Sequence, residues 1–443
     1  MKIGSTRQSR LPAVAATAVL AVLAASCSSS PSSGGSTGSG GLGKATAPGV
    51  TGTSILLGST QPLTGPASSG YDEIGPAINS FFQFVNSKGG VYNRKITFDY
   101  QDDVYDVTGQ TPTVTRKLVL QDSVFAMVGA LGTAPHESVV SFLNANRIPD
   151  LFVDTGFPGF NNVTAYPYTF SDFTDYVVEG KILGQYVTQH FAGQKVAYLG
   201  QADDLGTYGA KGLDAEIPAA DVVAKKQYVP TATAIPVDVP NAIATAKALG
   251  AKVVVLFTIP AATATAVLTA AALNYHPQFV VSSVGSDPTT LDTLLKVFSK
   301  GKAGGVLDDG MITDGYYASA SDTANQWTAL FKQIHDQYDA SQPFDGNFLN
   351  GVGIAYMTYR ALKAAGPDLT RQGLVNAITA AALNGPNLAP LGFSSTSHAG
   401  IEGDQMGTIS NNRVTLSGPV FSGTDTTAIT SGGNAQTPVP TTW

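Results

Sequence analysis

Two rhythms of apolar and polar positions alternate along most of the chain. Short apolar runs of strand length recur between longer stretches in which apolar residues return every three or four positions, the pattern of helices with one buried face. The first cycle reads ILLGST at 55–60, the helical stretch IGPAINSFFQFVNSKGG, then KITFDY at 95–100. Thr111–Gln121 continues as a predicted helix, Val124–Gly129 as a strand, Glu137–Asn146 as a helix and Asp150–Val153 as a strand. Aromatic-rich Tyr166–Tyr176 interrupts the cycle before a helix through Val187, and KVAYLG at 195–200 restarts it. Strands near Val222–Tyr228, Val253–Phe257 and Phe279–Ser283 follow. Strands that alternate with helices predict an α/β fold with parallel, doubly wound sheets, and the restart predicts a second lobe. Beyond Gly304 the order is less regular: a strand around Val306–Ile312, helices over Asp322–Tyr338 and Phe348–Ala365, a β-hairpin turning at Asn411-Asn412 and a polar, flexible tail over 422–443.

The N-terminus departs from this pattern. Lys2, Arg7 and Arg10 precede the apolar run Leu11–Ala25, which is shorter than the roughly 20 residues of a spanning helix and reads as a secretory signal. The segment Leu23-Ala24-Ala25-Ser26-Cys27 resembles the bacterial lipoprotein box, although Leu23 stands one position further from the cysteine than is usual there. That resemblance implies a signal peptide over 1–26, cleavage, and a lipid on Cys27 that anchors the chain to the bacterial cell membrane. The Ser/Gly-rich stretch at 27–49 is too poor in large apolar residues to bury a core and reads as a tether.

Composition removes several function classes. Only 13% of residues are charged and the formal net charge is −7, so no basic surface is available for nucleic acid. Cys27 is the only cysteine, which excludes an internal disulfide and a cysteine zinc site. Gly38–Gly43 fits a dinucleotide-type GxGxxG spacing but follows no strand and is linker. His136-Glu137 lacks the second histidine of a zinc protease helix, and the five histidines show no metal-ligand spacing. The expectation is a protein without catalysis, metal or cofactor.

The run LTGPASSGYDEIGPAINSFFQFVNSKGGVYNRKITFDYQDD at 63–103 resembles the opening of the branched-chain amino-acid binding proteins of ABC importers. The likeness continues through the Gly-headed loop Gly129–Ala134, the Ile148-Pro149 step, and Asp204 with Tyr208-Gly209. It implies a type I periplasmic binding protein fold, two lobes joined by three hinge crossovers. The lobes are expected at 50–173 plus 309–385 and at 174–308 plus 386–421. Parallel sheets place ligand sites beyond the carboxyl ends of their strands. Tyr71, Thr133, Ala134, Thr155 and Gly156 are therefore expected to hold ligand from the first lobe, and the resemblance adds Tyr208 from the second. Where the family has an acid for the ligand's ammonium, this chain has Val284, so the ligand is expected to lack an α-amino group, as in a keto acid, an amide or an aromatic carboxylate, unless Asp287 or Asp154 substitutes for that acid. The positions of the family's first-lobe disulfide hold Tyr105 and Gly132. The implied function is an extracytoplasmic receptor that closes on a small amino acid, related carboxylate or amide and delivers it to membrane permease and ATPase subunits. The same lobes also serve sensory receptors that present their closed state to a signalling partner.

Overall fold

The computed structural model describes residues 47–230 and 237–443. Strands β1 (Ser54–Gln61), β2 (Lys95–Asp102), β3 (Ala126–Val128), β4 (Asp150–Val153) and β5 (Thr169–Ser171) form an all-parallel sheet in the order β2-β1-β3-β4-β5. A second sheet contains β6 (Val196–Gln201), β7 (Val222–Tyr228), β8 (Val253–Phe257), β9 (Gln278–Val281), β10 (Ile312–Gly315), β11 (Gly403–Ser410), β12 (Arg413–Ser422) and β13 (Thr430–Gly432). Its order is β13-β12-β11-β10-β9-β8-β6-β7, parallel from β7 to β10 and antiparallel from there outward. The sequence of β8, VVVLF, is buried at every position, as a central strand covered by helices on both faces requires. Asn411 and Asn412 take positive φ at 50° and 59° and close the β11–β12 hairpin where it was expected.

Helices Gln326–Tyr338 and Gly346–Ala365 return to the first sheet and pack on helix Ile74–Ser87. Gly351 permits this approach: a Cβ there would lie 2.6 Å from the Ile74 carbonyl oxygen. The predicted helix Glu137–Asn146 is two short helices, Thr133–Glu137 and Val140–Ala145, and β5 lies inside the aromatic stretch that gave no strand signal.

Three expectations are corrected. The strand expected over Val306–Ile312 lies at Ile312–Gly315 and joins the second sheet between β9 and β11, so the return to the first lobe begins after Gly315 and not at 309. The expected tail at 422–443 is not free. Its β13 pairs with β12, the Ala435 N–H donates to the Leu388 carbonyl at 2.7 Å, and Trp327 Nε1 donates to the Thr437 carbonyl at 2.6 Å. Trp443 then packs edge-on to Phe84 at 4.9 Å, among Phe81 and Tyr359 of the first lobe. The lobes are therefore joined by the three expected crossovers and also by a fourth passage of chain, the C-terminal strap.

The expected signal peptide, Cys27 and the expected tether as far as residue 46 lie outside the described residues. The end of the tether is seated: the Leu56 N–H donates to the Gly49 carbonyl at 2.8 Å. Among the described residues no helix is long and apolar enough to cross a membrane.

Candidate functional site

A cavity of about 540 Å³ opens at the carboxyl ends of the strands of both sheets, with walls from both lobes. Tyr71 follows β1, and its hydroxyl donates to the Val284 carbonyl across the cleft at 2.6 Å. Val284 sits in the short turn Ser283–Gly285 after β9 and lines the cavity, so it contributes a carbonyl and an apolar side chain. Asp287 also lines the cavity. One oxygen caps helix Pro288–Phe298 through the Thr290 N–H at 2.9 Å, and the other accepts from the Gly346 N–H of the first lobe at 3.0 Å. Asp287 thus caps a helix and faces the cleft at once.

Thr133 and Thr155 come together, with their hydroxyls 2.6 Å apart. Tyr176, from the first turn of helix Tyr176–His190, completes the group: its hydroxyl lies 3.1 Å from Thr155 Oγ1 and 3.5 Å from Thr133 Oγ1. Thr133 and Tyr176 line the cavity, and Thr155 supports them from behind. Tyr105 covers Gly132, where a Cβ would meet the ring at 2.5 Å, so an aromatic ring packs directly on a glycine here. Asp154 lines the cavity and accepts from Asn350 Nδ2 at 2.9 Å, and burial pushes its carboxyl up to about 7.

Three expected residues stand elsewhere. Gly156 packs under Tyr176, with no room for a Cβ beside the Thr174 carbonyl oxygen at 2.2 Å. Ala134 lies in the short helix Thr133–Glu137 and is not part of the wall. Tyr208 lies outside the cavity, its ring 5.3 Å from Phe157 and under Lys211. Its neighbour Gly209 explains the Tyr-Gly pair by packing, because a Cβ there would meet the Phe257 ring at 2.4 Å.

The carboxyls at and beside this cavity outnumber what the sequence suggested. Asp345 caps helix Gly346–Ala365 through the Asn347 and Phe348 N–H groups at 3.0 and 3.1 Å, and it lines the cavity. Glu73 lies beside it. Burial, then the neighbouring Asp345 and Asp287, push Glu73 up to about 10, and burial with Asp287 pushes Asp345 up to about 8. Asp314, at the end of β10, lines the cavity from the second lobe. Behind it the buried Glu179 accepts from the Ser283 N–H and hydroxyl at 2.7 and 2.8 Å. Burial, then Glu179 and Asp404, raise Asp314 well above the usual carboxyl range. The Asp-Gly-Asn-Phe run at 345–348 carried a helix-cap signal, but nothing local to Glu73 or Asp314 marked them as cleft residues. Among the described residues no group of histidine, cysteine and acidic side chains is arranged to hold a metal ion.

Comparison with solved structures gives the same architecture. A possible leucine/isoleucine/valine-binding protein from Rhodopirellula baltica SH 1 superposes with a TM-score of 0.71 at 17% identity, covering 83% of this chain and 96% of that one. A branched-chain amino acid ABC transporter protein from Thermus thermophilus with bound valine gives 0.69 at 17%, covering 84% and 97%. A fatty acid ABC transporter substrate-binding protein from Thermomonospora curvata gives 0.72 at 19%, covering 87% and 97%. No curated protein sequence matches significantly. The profile described as "Periplasmic binding protein" matches residues 54–412, most of the chain. With two lobes, a cleft at the strand ends and this match, the chain belongs to the periplasmic binding protein family, extracytoplasmic proteins of the type I fold that bind small ligands and are not enzymes.

Proposed function

We propose that this chain is the substrate-binding lipoprotein of an ABC-type importer, held to the cell membrane by a lipid on Cys27, and that it captures a small ligand between its lobes for delivery to permease and ATPase subunits. The observation that carries this reading is the cavity of about 540 Å³ walled by both lobes, a volume suited to a small metabolite. Contacts across the cleft, Tyr71 to Val284 and Asp287 to the Gly346 N–H, belong to a closed arrangement that hinge opening would break. Tyr71, Thr133, Val284 and Asp287 are the expected ligand-facing residues, with Thr155 behind them; Tyr176 joins this set and Tyr208 leaves it.

Native mass spectrometry of the protein purified from its source tests the binding reading. A retained small molecule released intact on unfolding is the expected result, and a chemically converted product of an added molecule would contradict it. Fractionation tests the anchor: Cys27→Ala is expected to move the protein out of the membrane fraction, and a variant that stays there would exclude lipid attachment at this residue.

A further inference from the structure

The cleft is rich in acid and poor in base. Asp154, Asp287, Asp314 and Asp345 line it, and among the described residues only Lys332 and Arg413 oppose them in sign. Lys332 is paired with Asp336 on its own helix and lies over the Phe344 ring, while Arg413 stands exposed at the hairpin tip. Neither is a buried counter-charge. The hydroxyls of Thr133, Thr155 and Tyr176, which would be the donors for a ligand carboxylate, are within bonding distance of one another.

The acids are in the opposite condition. Asp314 is 4% exposed and Asp345 3%, and apart from the Ser283 N–H, already given to Glu179, and the neighbouring carboxyls of Glu179 and Glu73, the chain offers no donor to either oxygen of Asp314 or to Oδ2 of Asp345; Oδ1 of Asp345 is taken by its helix cap. Oε2 of Glu73 has no close donor either, and the Glu73 carboxyl faces Asp345. A buried carboxyl with no donor is costly in either charge state, and a buried carboxylate with no cation more so. These groups come from both lobes: Glu73 and Asp345 from the first, Asp287 and Asp314 from the second.

We propose that the cleft selects a cationic ligand, one that bears a protonated amine and no free carboxylate, with the amine bridging the Asp345 side and the Asp314 side of the cavity. The inference rests on reading this cavity as the ligand site. An ammonium presents three donors and no acceptor, which is what this set of oxygens lacks. A ligand carboxylate would instead be buried beside like charge, without a basic partner. Because acids of both lobes would meet one amine, its binding favours the closed arrangement.

Without a cation, these raised carboxyls are expected to keep protons in its place. Glu73 is raised by burial, Asp345, Asp287 and Asp72, Asp345 by burial and Asp287 while a hydrogen bond with Glu73 lowers it, and Asp314 by burial, Glu179 and Asp404. An incoming amine displaces these protons, so its affinity rises with pH.

The test is calorimetric titration of the full chain, freed of retained ligand, at pH 6 and pH 8 in buffers of different ionisation enthalpy. The probes are leucinamide and 1,5-diaminopentane as cations, leucine as the zwitterion, and 4-methyl-2-oxopentanoate and octanoate as anions. The expected result is saturable binding of a cation, at least tenfold tighter at pH 8 with net proton release, weaker binding of leucine and none of the anions. Asp314→Asn and Asp345→Asn should each weaken the cation at least tenfold at pH 8, and asparagine preserves the helix cap at 345. Saturable binding of an anion, cation affinity indifferent to pH and to both variants, or a retained molecule with a carboxylate and no amine overturns the inference and leaves the binding-protein reading standing. No retained molecule and no saturable heat from any probe defeats that reading, and the inference with it.

Discussion

In one part of the cavity the hydroxyls of Thr133, Thr155 and Tyr176 lie 2.6 to 3.5 Å from one another, and in the other the carboxyls of Asp345 and Asp314 leave oxygens with no close donor of their own, only neighbouring carboxyls and an N–H already given to Glu179. Both parts are buried and polar, and the difference lies in what each group can do alone. A hydroxyl donates and accepts, so three of them close a network without help. A carboxylate only accepts, so carboxylates gathered in one place need protons, a cation or a ligand. The first part is finished by folding and shapes the cavity. The second is left incomplete and sets what the cavity wants.

The largest consequence of this contrast is on stability against pH. A carboxyl whose pKa is raised on folding binds a proton more tightly in the folded state, so its stabilisation is present below the unfolded value near 4 and is lost as pH climbs through the folded value. With Asp154 raised to about 7 and Asp345 to about 8, the ligand-free protein should lose about 3 kcal/mol or more between pH 5 and pH 8, measured by chemical denaturation. Asp345→Asn should flatten that slope, and stability that rises over this interval would contradict the assignment. Next in size is a control far from the cleft. Trp443→Ala removes the anchor of the C-terminal strap from Phe84 and Phe81 and should lower stability by roughly 2 kcal/mol equally at both pH values. A strongly pH-dependent loss would show that the strap and the acids are coupled. Thr155→Val breaks the hydroxyl network and should cost about 1 kcal/mol with the pH slope unchanged, since no member of that network titrates in the interval. The smallest effect is expected of Tyr71→Phe, which removes one cross-lobe hydrogen bond and should weaken closure by about 0.5 to 1 kcal/mol, seen as weaker ligand binding with stability nearly unchanged.

Much of the fold was legible because its signals are local. The VVVLF run of β8, the Asn411-Asn412 turn and the proline after Asp287 each state their structure within a few residues. β10 was misplaced because its lobe is decided by its partners: Ile312 pairs with Val280 on one side and Thr408 on the other. The strap was read as free because its polar residues bond by backbone and its one large side chain, Trp443, is the last residue. In the site, the paired threonines and Asp287 could be placed from strand ends, whereas Glu73, Asp314 and Asp345 meet only when two lobes and three distant segments fold together. Tyr208 was carried by likeness to a motif whose glycine serves packing against Phe257.

Small-angle X-ray scattering of the full chain, stripped of ligand and then resupplied with the molecule that native mass spectrometry finds retained, tests most directly whether the two lobes close on what they bind. The predicted result is a smaller radius of gyration at saturation, with the ligand recovered unchanged. An identical profile with and without saturating ligand would contradict a closing receptor.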